Sequence, residues 1–259
     1  YLASYVQQVL AGSQRYPEAR EDLFRKVQTG NLVTSYLGHG GEVGWAKERV
    51  LQLIDITSWT NFENMPLFST VTCEFTRVDD PIRVSAGEQL FLNTEGGAVA
   101  LFSTLRPVFA TQSTYNINRQ LFEYMFYKNN GQYLTLGEVI QATKNNNNSG
   151  DRVRFALIGD PAMRLAIPEH VVQTDSINGV AASAFNDTLK ALSKVRITGH
   201  IEDENGSLLS DFNGIVNPTV FDKMANKTTL LNDGVGVPLN YKTRENIIFS
   251  GIASVNSGR

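Results

Sequence analysis

The chain has 259 residues, of which 42% are hydrophobic and 19% charged, and its formal net charge is −3 at pH 7. Acidic residues outnumber lysine and arginine, which are scattered, so the chain lacks the basic patch that binding to a phosphate backbone requires. We therefore expect no nucleic-acid partner. No run of 18 consecutive apolar residues occurs, which predicts that no segment of this chain spans a membrane. The single cysteine excludes a disulfide within the chain.

The start of the chain shows helical and strand patterns in alternation, which is typical of a layered α/β domain. Apolar residues recur at helical spacing at the very beginning and predict an amphipathic helix there: Leu2, Tyr5, Val6, Val9 and Leu10. Since the chain begins inside this predicted helix, we expect it to be a piece of a longer protein. Pro17 and Gly30 delimit a second helix. A buried strand over residues 32–37 and a helix over residues 46–53 are predicted next.

Six further elements complete the predicted α/β domain. A short apolar strand covers residues 67–72, and Ser85 with Glu88 forms a capping box for the helix that follows. The later predictions are a strand over 98–103, a helix over 116–127, a helix capped by Thr135 and Glu138, and a strand with Val153, Phe155 and Leu157 in alternation.

The pattern changes beyond Pro168, where helical periodicity largely disappears. Short alternating segments are separated by turn signals such as Asn205-Gly206, and they predict strands around Ile197, Thr219–Phe221 and residues 247–249. Such an arrangement is typical of a small β-sandwich. We therefore predict an α/β domain over residues 1–168 and a β-sandwich domain over residues 169–259, with strands of the sandwich lying beyond the end of the chain.

A histidine flanked by glycines follows the predicted strand 32–37. In Gly38-His39-Gly40-Gly41 the imidazole would lie at the carboxyl edge of the sheet, where ligands of open parallel sheets bind. Glycine also lets the backbone approach a ligand closely, so the Gly40 amide could donate to a developing oxyanion. The alternative is an ordinary glycine-rich turn, because such turns are common after strands.

The single cysteine, Cys73, follows the next predicted strand. Two neighbouring parallel strands would bring the Cys73 thiol and the His39 imidazole to the same sheet edge. An imidazole beside a thiol promotes the nucleophilic thiolate and can later protonate a leaving amine, which is the chemistry of acyl transfer. The alternative is a buried, inert cysteine that packs as a small hydrophobic residue.

The segments around these two residues resemble the gingipain-like cysteine peptidases. Residues 35–40 are similar to the strand that ends at the histidine of this family, and residues 69–75 are similar to the strand that delivers its nucleophile. More narrowly, the chain resembles the sortase branch of the family, which serves type IX secretion. The segments that carry this narrower resemblance are 73–81, 156–165, 199–203, 211–216 and 220–223.

The resemblance implies a caspase-like peptidase domain followed by an immunoglobulin-like sandwich. It also implies an enzyme of the bacterial cell surface, associated with the outer membrane, that removes the C-terminal secretion signal from exported proteins. Family members transfer such cargo to lipopolysaccharide, so the implied partners are protein substrates with that signal, other components of the secretion system and a lipopolysaccharide acceptor. The implied reaction passes through a thioester on the cysteine.

The two motifs and the family resemblance together imply roles for individual residues. Cys73 is the predicted nucleophile and His39 its base and later acid, while the amides of Gly40 and Cys73 are the predicted oxyanion donors. Glu74 and Arg106 are weaker candidates for substrate binding, with a solvated loop and an ion pair between the domains as the respective alternatives.

No metal or cofactor is predicted. His170 and His200 lack the second ligand at the spacing that a zinc or iron site needs. The sequence is compatible with two function classes. The first is a cysteine peptidase and sortase, and the alternative is a non-catalytic module that binds partners of the secretion machinery, or an inert fragment.

Overall fold

Two units make up this chain in the computed structural model, which describes residues 2–11, 13–190, 192–232 and 234–259. Residues 1–166 form the first unit together with residues 229–238, and the second consists of residues 167–228 and 239–259. The first unit is mixed α/β and the second is built from strands and turns. Among the described residues, no helix combines the length and the apolar character needed to cross a bilayer.

A four-stranded sheet lies at the centre of the first unit. Its strands are β3 (Val33–Leu37), β7 (Leu67–Val71), β8 (Ala100–Thr104) and β11 (Phe155–Ile158), in the order β11-β8-β7-β3. The three strands β3, β7 and β8 are parallel, as the sequence predicts for an α/β domain. The fourth strand, β11, runs antiparallel to β8, so the sheet is mixed rather than purely parallel. Mixed sheets of this kind often have the antiparallel strand at an edge.

Helices cover both faces of this sheet. They are α1 (Pro17–Thr29), α2 (Leu53–Ser58), α3 (Ala86–Leu92), α4 (Gln112–Met125) and α5 (Leu136–Asn145). Side chains of α1, α2 and α3 pack with Phe68 and Leu101 in one apolar core. Side chains of α4 and α5 pack with Leu67, Val71 and Phe102 in the other. The sheet is therefore the middle layer of three, because its alternating side chains enter two separate cores.

Sequence signals at helix ends agree well with the structure. Pro17 begins α1, and Gly30 ends it with φ of 96°, a conformation that glycine adopts easily. The predicted capping boxes at Ser85 and Thr135 both form, each with the glutamate three residues later. Helix α4 begins four residues before the predicted start at residue 116, because Thr111 and Thr114 cap it.

The predicted helix at the beginning of the chain is wrong. The structure has a single 3-10 turn at Leu2–Ser4, followed by the hairpin strands β1 (Gln8–Leu10) and β2 (Ser13–Arg15). Val9 and Leu10, which the helix would have buried, are mostly exposed. Helical spacing alone did not give this segment a surface to pack against, so pairing with β2 determines its conformation.

The predicted helix over residues 46–53 is also wrong. Residues 46–50 instead form a turn between two short antiparallel strands, β5 (Gly44–Trp45) and β6 (Leu51–Gln52), and β5 also pairs with β4 (Gly40–Gly41). Ala46 and Arg49 have φ of 60° and 55°, which a right-handed helix excludes. The helix of this region, α2, begins only at Leu53, where Gln52 and Asp55 form a capping box.

The remaining elements of the first unit are small. A hairpin joins β9 (Lys128–Asn129) to β10 (Gln132–Tyr133) between the last two helices, and 3-10 turns cover Phe62–Asn64 and Gly150–Arg154. These elements connect the layers.

The second unit contains short strands, and its described residues form one three-stranded sheet and three two-stranded ribbons. In chain order the strands are β12 (Val171–Ile177), β13 (Val180–Ala181), β14 (Ile197–Glu202), β15 (Gly214–Val216), β16 (Thr219–Phe221), β17 (Ala225–Thr228), β18 (Asn240–Thr243), β19 (Ile247–Ser250) and β20 (Ala253–Val255). A 3-10 turn covers Ala182–Ala184. The predicted strands around Ile197, Thr219–Phe221 and residues 247–249 are confirmed, whereas the sandwich and its immunoglobulin-like topology stay predictions.

Candidate active site

The two predicted catalytic residues occupy equivalent positions after neighbouring strands. Leu37, the last residue of β3, pairs in parallel register with Val71, the last residue of β7. His39 lies two residues beyond Leu37, and Cys73 two residues beyond Val71. The ladder continues past the strand ends, because the amide of Gly38 donates to the carbonyl of Val71 at 3.2 Å. Adjacent strands are about 4.8 Å apart, so the register brings His39 and Cys73 to one level of the sheet edge.

The backbone at His39 is held by two donors. The His39 carbonyl accepts a hydrogen bond from the Tyr36 hydroxyl at 2.7 Å and another from the Ala46 amide at 2.7 Å. The His39 side chain is exposed. The histidine is therefore accessible on a main chain that is anchored from two sides.

Gly40 lies directly against Thr72, the residue before the cysteine. A Cβ atom at Gly40 would be 2.5 Å from Thr72 Oγ1 and 2.8 Å from the Gly44 carbonyl, so no larger residue fits there. Thr72 is buried, and its hydroxyl has no hydrogen-bond partner within the described residues. Glycine at position 40 thus lets the loop after β3 pack directly against the loop after β7.

Cys73 is a free, half-buried cysteine whose thiol donates to the carbonyl of Val108 at 3.3 Å. In the part of the chain that the structure describes, the Cys73 amide donates no hydrogen bond. Glu74 follows with φ of 48°, the left-handed region that side chains other than glycine rarely adopt. The chain therefore turns sharply at the cysteine, and an unpaired amide lies at the turn.

The turn at Cys73 is fixed to β8 on both of its sides. The hydroxyl of Thr104 donates to the carbonyl of Thr72, and the amide of Thr76 donates to the carbonyl of Thr104 at 3.1 Å. Thr76 Oγ1 also donates to Ser103 Oγ at 2.7 Å. All of these groups are buried, so the bonds are protected from competing water. A buried network consequently holds the backbone that carries the cysteine.

An ionic network joins the loops that follow β3, β7 and β8. Glu42 accepts from Arg77 at 3.0 Å and lies 3.3 Å from Arg83, while Arg106 makes a bidentate pair with Asp79. The Arg106 guanidinium lowers the pKa of the Asp79 carboxyl. The predicted substrate contact Arg106 is thus engaged by an acid of its own unit. Glu74, the other weak candidate, is half-buried beside the cysteine.

A groove of about 860 Å³ runs along β3, the edge strand of the sheet. Its lining includes Tyr36, His39 and Trp45, and Cys73 is not among the described residues that line it. Trp45 itself is 2% exposed and Trp59 is fully buried, so both tryptophans belong mainly to the core.

The other two histidines lie in the second unit. The His170 ring packs edge-on against Phe212, and His200 lies between Asp175 (2.6 Å) and Glu202 (3.2 Å). Throughout the described residues, no group of three or more histidine, cysteine or carboxylate side chains is arranged to hold a metal ion.

Comparison with protein families relates the first unit to a known group of enzymes. Residues 1–166, well over half of the chain, match the model of peptidase family C25. The chain belongs to this family. The predicted resemblance to gingipain-like cysteine peptidases is thereby confirmed. No curated protein sequence matches the chain significantly.

Several solved structures are similar to this chain. A complex of Porphyromonas gingivalis RgpB pro- and mature domains is 16% identical, with a TM-score of 0.49, and the match covers 92% of this chain and 56% of that chain. The Arg-specific cysteine proteinase gingipain R is 15% identical, with a TM-score of 0.48 and coverage of 92% and 55%. Dimeric latent PorU from Porphyromonas gingivalis is 32% identical, with a TM-score of 0.34 and coverage of 88% and 20%. This chain spans just over half of the two gingipain chains and a fifth of the PorU chain.

The sequence does not predict the residues whose side chains hydrogen-bond to the main chain of the candidate site. Tyr36 is an ordinary strand residue in the pattern, and Thr104 is the end of a buried strand. Only the turn at residues 38–46 and the register of β7 against β8 give them partners in the site. The single available signal for Tyr36 is its position three residues before His39.

Proposed function

We propose that this C25 family member carries the catalytic pair of a cysteine endopeptidase and sortase, with Cys73 as nucleophile and His39 as base. The observation that supports the pair best is their equal register after β3 and β7. The half-buried thiol and the exposed imidazole sit at the carboxyl edge of parallel strands, where open sheets bind ligands.

Acylation begins when Cys73 turns from the Val108 carbonyl toward the imidazole and transfers its proton to the free ring nitrogen of His39. The sulfur attacks the scissile carbonyl carbon and forms a tetrahedral oxyanion. The amides of Cys73 and Gly40 donate to this oxygen in the proposal. When the intermediate collapses, the carbon–nitrogen bond breaks, the leaving amine takes the proton from His39, and a thioester to Cys73 remains.

Deacylation decides between hydrolysis and transfer. His39 accepts a proton from the incoming nucleophile, which attacks the thioester carbonyl, and the carbon–sulfur bond breaks as Cys73 leaves and regains a proton. Water as the nucleophile releases the cargo, whereas an amine forms a new amide. The same two residues therefore serve a peptidase and a sortase.

We propose proteins with a C-terminal secretion signal as substrates and a lipopolysaccharide amine as acceptor, at the outer-membrane surface of a bacterium that uses type IX secretion. The segments 73–81 and 156–165 support this narrower assignment through their resemblance to the sortase branch. In the same proposal the peptidase domain ends near Pro168, and an immunoglobulin-like sandwich that docks other secretion components follows it. Glu74 and Arg106 stay proposed substrate contacts. In this proposal Arg106 releases Asp79 and pairs with a carboxylate of the substrate.

Alkylation of the single cysteine tests the catalytic pair directly. Iodoacetamide at pH 7 is added to the wild-type chain, to His39→Ala and to the control His170→Ala, and the mass increase at Cys73 is followed with time. We expect the wild-type chain and the control to react at least several times faster than free cysteine. In His39→Ala, the alkylation rate of Cys73 should fall to that of an ordinary thiol.

Acyl transfer is tested with a synthetic peptide that carries a C-terminal secretion signal. A covalent adduct on Cys73 that hydroxylamine removes, and that Cys73→Ala abolishes, identifies the thioester. If Cys73 reacts no faster than free cysteine in the wild-type chain and His39→Ala changes nothing, the chain is not catalytic. Partner capture through residues 169–259 alone would then support the binding module.

A further inference from the structure

The hydroxyl of Tyr36 reaches across the turn at Gly38 to the main chain of His39. It donates to the His39 carbonyl at 2.7 Å, and the Ala46 amide donates to the same oxygen at 2.7 Å. These contacts involve the backbone of the histidine and leave its ring exposed. They therefore fix a peptide plane rather than the imidazole itself.

The peptide plane in question also contains the amide of Gly40. The described chain has no cis peptide bond, so the bond between His39 and Gly40 is trans. In a planar trans peptide the C=O and N–H groups point in opposite directions. Two donors that hold the His39 carbonyl consequently also determine the direction of the Gly40 N–H, which points away from Tyr36 and Ala46.

The Tyr36 ring is itself held in place by the hairpin that follows. It stacks on Trp45 with ring centroids 4.5 Å apart and planes within 8°. Trp45 pairs with Gly40 between β4 and β5, so the ring that supports Tyr36 belongs to the residue opposite Gly40. Burial raises the pKa of Tyr36 to about 12, and the nearby Glu48 carboxylate adds to this effect. The hydroxyl thus stays protonated and able to donate at any pH at which a peptidase would be assayed.

Gly38 leaves the space that this arrangement needs. A Cβ atom at position 38 would be 2.8 Å from the Tyr36 hydroxyl oxygen and 3.0 Å from its ring carbon Cζ. Gly38 does not have a positive φ, so its backbone conformation does not require glycine. The Tyr36 hydroxyl is therefore the main obstacle to a side chain at this position.

We propose that Tyr36 is a positioning residue that aims the Gly40 amide at the oxyanion of the acyl-transfer intermediate. The inference rests on the proposed function, since it takes Gly40 as an oxyanion donor and Cys73 as the nucleophile. It goes beyond that function by assigning the preorganisation of the donor to one hydroxyl. Loss of the hydroxyl would leave the Ala46 amide as the only donor that the described residues offer to the His39 carbonyl, and would let the peptide plane rotate.

Two reactions of Cys73 separate this role from a general effect on the thiol. Acylation by p-nitrophenyl acetate passes through a tetrahedral oxyanion, whereas alkylation by iodoacetamide forms none. Both are measured on the wild-type chain, Tyr36→Phe, Gly38→Ala and the control Tyr127→Phe, an exposed tyrosine after α4. Cys73→Ala gives the background acylation of other nucleophiles.

We expect Tyr36→Phe to slow acylation about three- to tenfold, the effect of one lost hydrogen bond, and to leave alkylation and its pH profile unchanged. Gly38→Ala, which displaces the hydroxyl while keeping the tyrosine, should act in the same direction. Tyr127→Phe should change neither rate. The ring of phenylalanine preserves the stacking on Trp45, so Tyr36→Phe should fold normally.

Equal acylation rates in the wild-type chain and Tyr36→Phe would overturn the inference, as would a parallel fall of acylation and alkylation. A failure of the proposed function has a different signature. In that case His39→Ala leaves the alkylation rate unchanged, and the ratio of the two rates in Tyr36→Phe still reports on the Gly40 amide.

Discussion

His200 shows how a single residue can make the stability of the second unit depend on pH. One ring nitrogen contacts Asp175 of the paired strand β12 at 2.6 Å. The other contacts Glu202, which lies in the same strand as His200, β14, at 3.2 Å. The hydrogen bond to Asp175, followed by that to Glu202, raises the pKa of His200. When the ring is protonated, its contact with Asp175 therefore stabilises the pairing of the two strands.

We expect the second unit to lose stability as the pH rises past the pKa of His200. A raised folded-state pKa gives a contribution that is complete below the unfolded value of about 6.5 and disappears as the pH rises through the folded value. Urea unfolding followed by far-UV circular dichroism at pH 6 and pH 8.5 should show the lower midpoint at pH 8.5. The difference between the two midpoints should be smaller in His200→Gln than in the control variant His170→Gln. An identical pH dependence in both variants would contradict the assignment.

At the same scale, the sequence singles out the two proposed catalytic residues, whereas it does not indicate the residues that contact them. His39 and Cys73 stand out because a histidine among glycines and a lone cysteine each follow an apolar strand. Tyr36 and Thr104 do not stand out, because their roles arise from contacts with residues at other points of the fold. Residue type and spacing predict candidate reactive groups, whereas the groups that would orient them depend on tertiary structure.

At the scale of elements, β8 acts as the anchor for the turn that carries Cys73. The Thr104 hydroxyl donates to the Thr72 carbonyl, and both residues are buried. We expect Thr104→Val, which keeps the shape of the side chain, to lower the free energy of unfolding by about 1–3 kcal/mol, because a buried carbonyl loses its donor. Urea unfolding followed by tryptophan fluorescence measures the change in the first unit.

Thr143→Val provides the matched control for Thr104→Val. Thr143 is equally buried and its hydroxyl donates to the Val139 carbonyl at 2.8 Å, but that carbonyl lies within α5 and already accepts the helical amide bond. Removal of the Thr143 hydroxyl should therefore lower the free energy of unfolding by less than removal of the Thr104 hydroxyl. If Thr143→Val proved the more damaging change, the anchoring role of β8 would have to be abandoned.

Helices with explicit end signals were predictable at this scale, and segments that depend on distant partners were not. Proline, capping boxes and a terminal glycine delimit α1, α3 and α5 correctly. Residues 2–10 have helical spacing, but they contain a 3-10 turn and the first strand of a hairpin. Residues 46–53 change direction at two residues with positive φ. Local periodicity lacks this information, because strand pairing is decided between segments.

At the scale of the whole molecule, apolar burial is distributed very unevenly. Nearly all of the buried hydrophobic side chains lie in the first unit, whereas Ile201 and Val255 are the only ones that the described residues of the second unit contribute. The second unit also exposes large apolar side chains such as Ile215, Ile248 and Ile252. Since burial of apolar area is the main source of folding free energy, the second unit should be much the less stable of the two.

We therefore expect the chain to unfold in two steps, the second unit first. Both tryptophans, Trp45 and Trp59, are buried in the first unit, so their fluorescence reports on that unit alone. Far-UV circular dichroism reports on both units. In a urea titration the dichroism should begin to change at a lower concentration than the fluorescence, and amide hydrogen exchange should be faster in β12 and β14 than in β7 and β8. Coincident transitions would instead mean that the two units unfold as one cooperative body. Truncation after residue 168 offers the complementary control, since the fluorescence transition should survive the loss of the second unit only if residues 229–238 contribute little to the first.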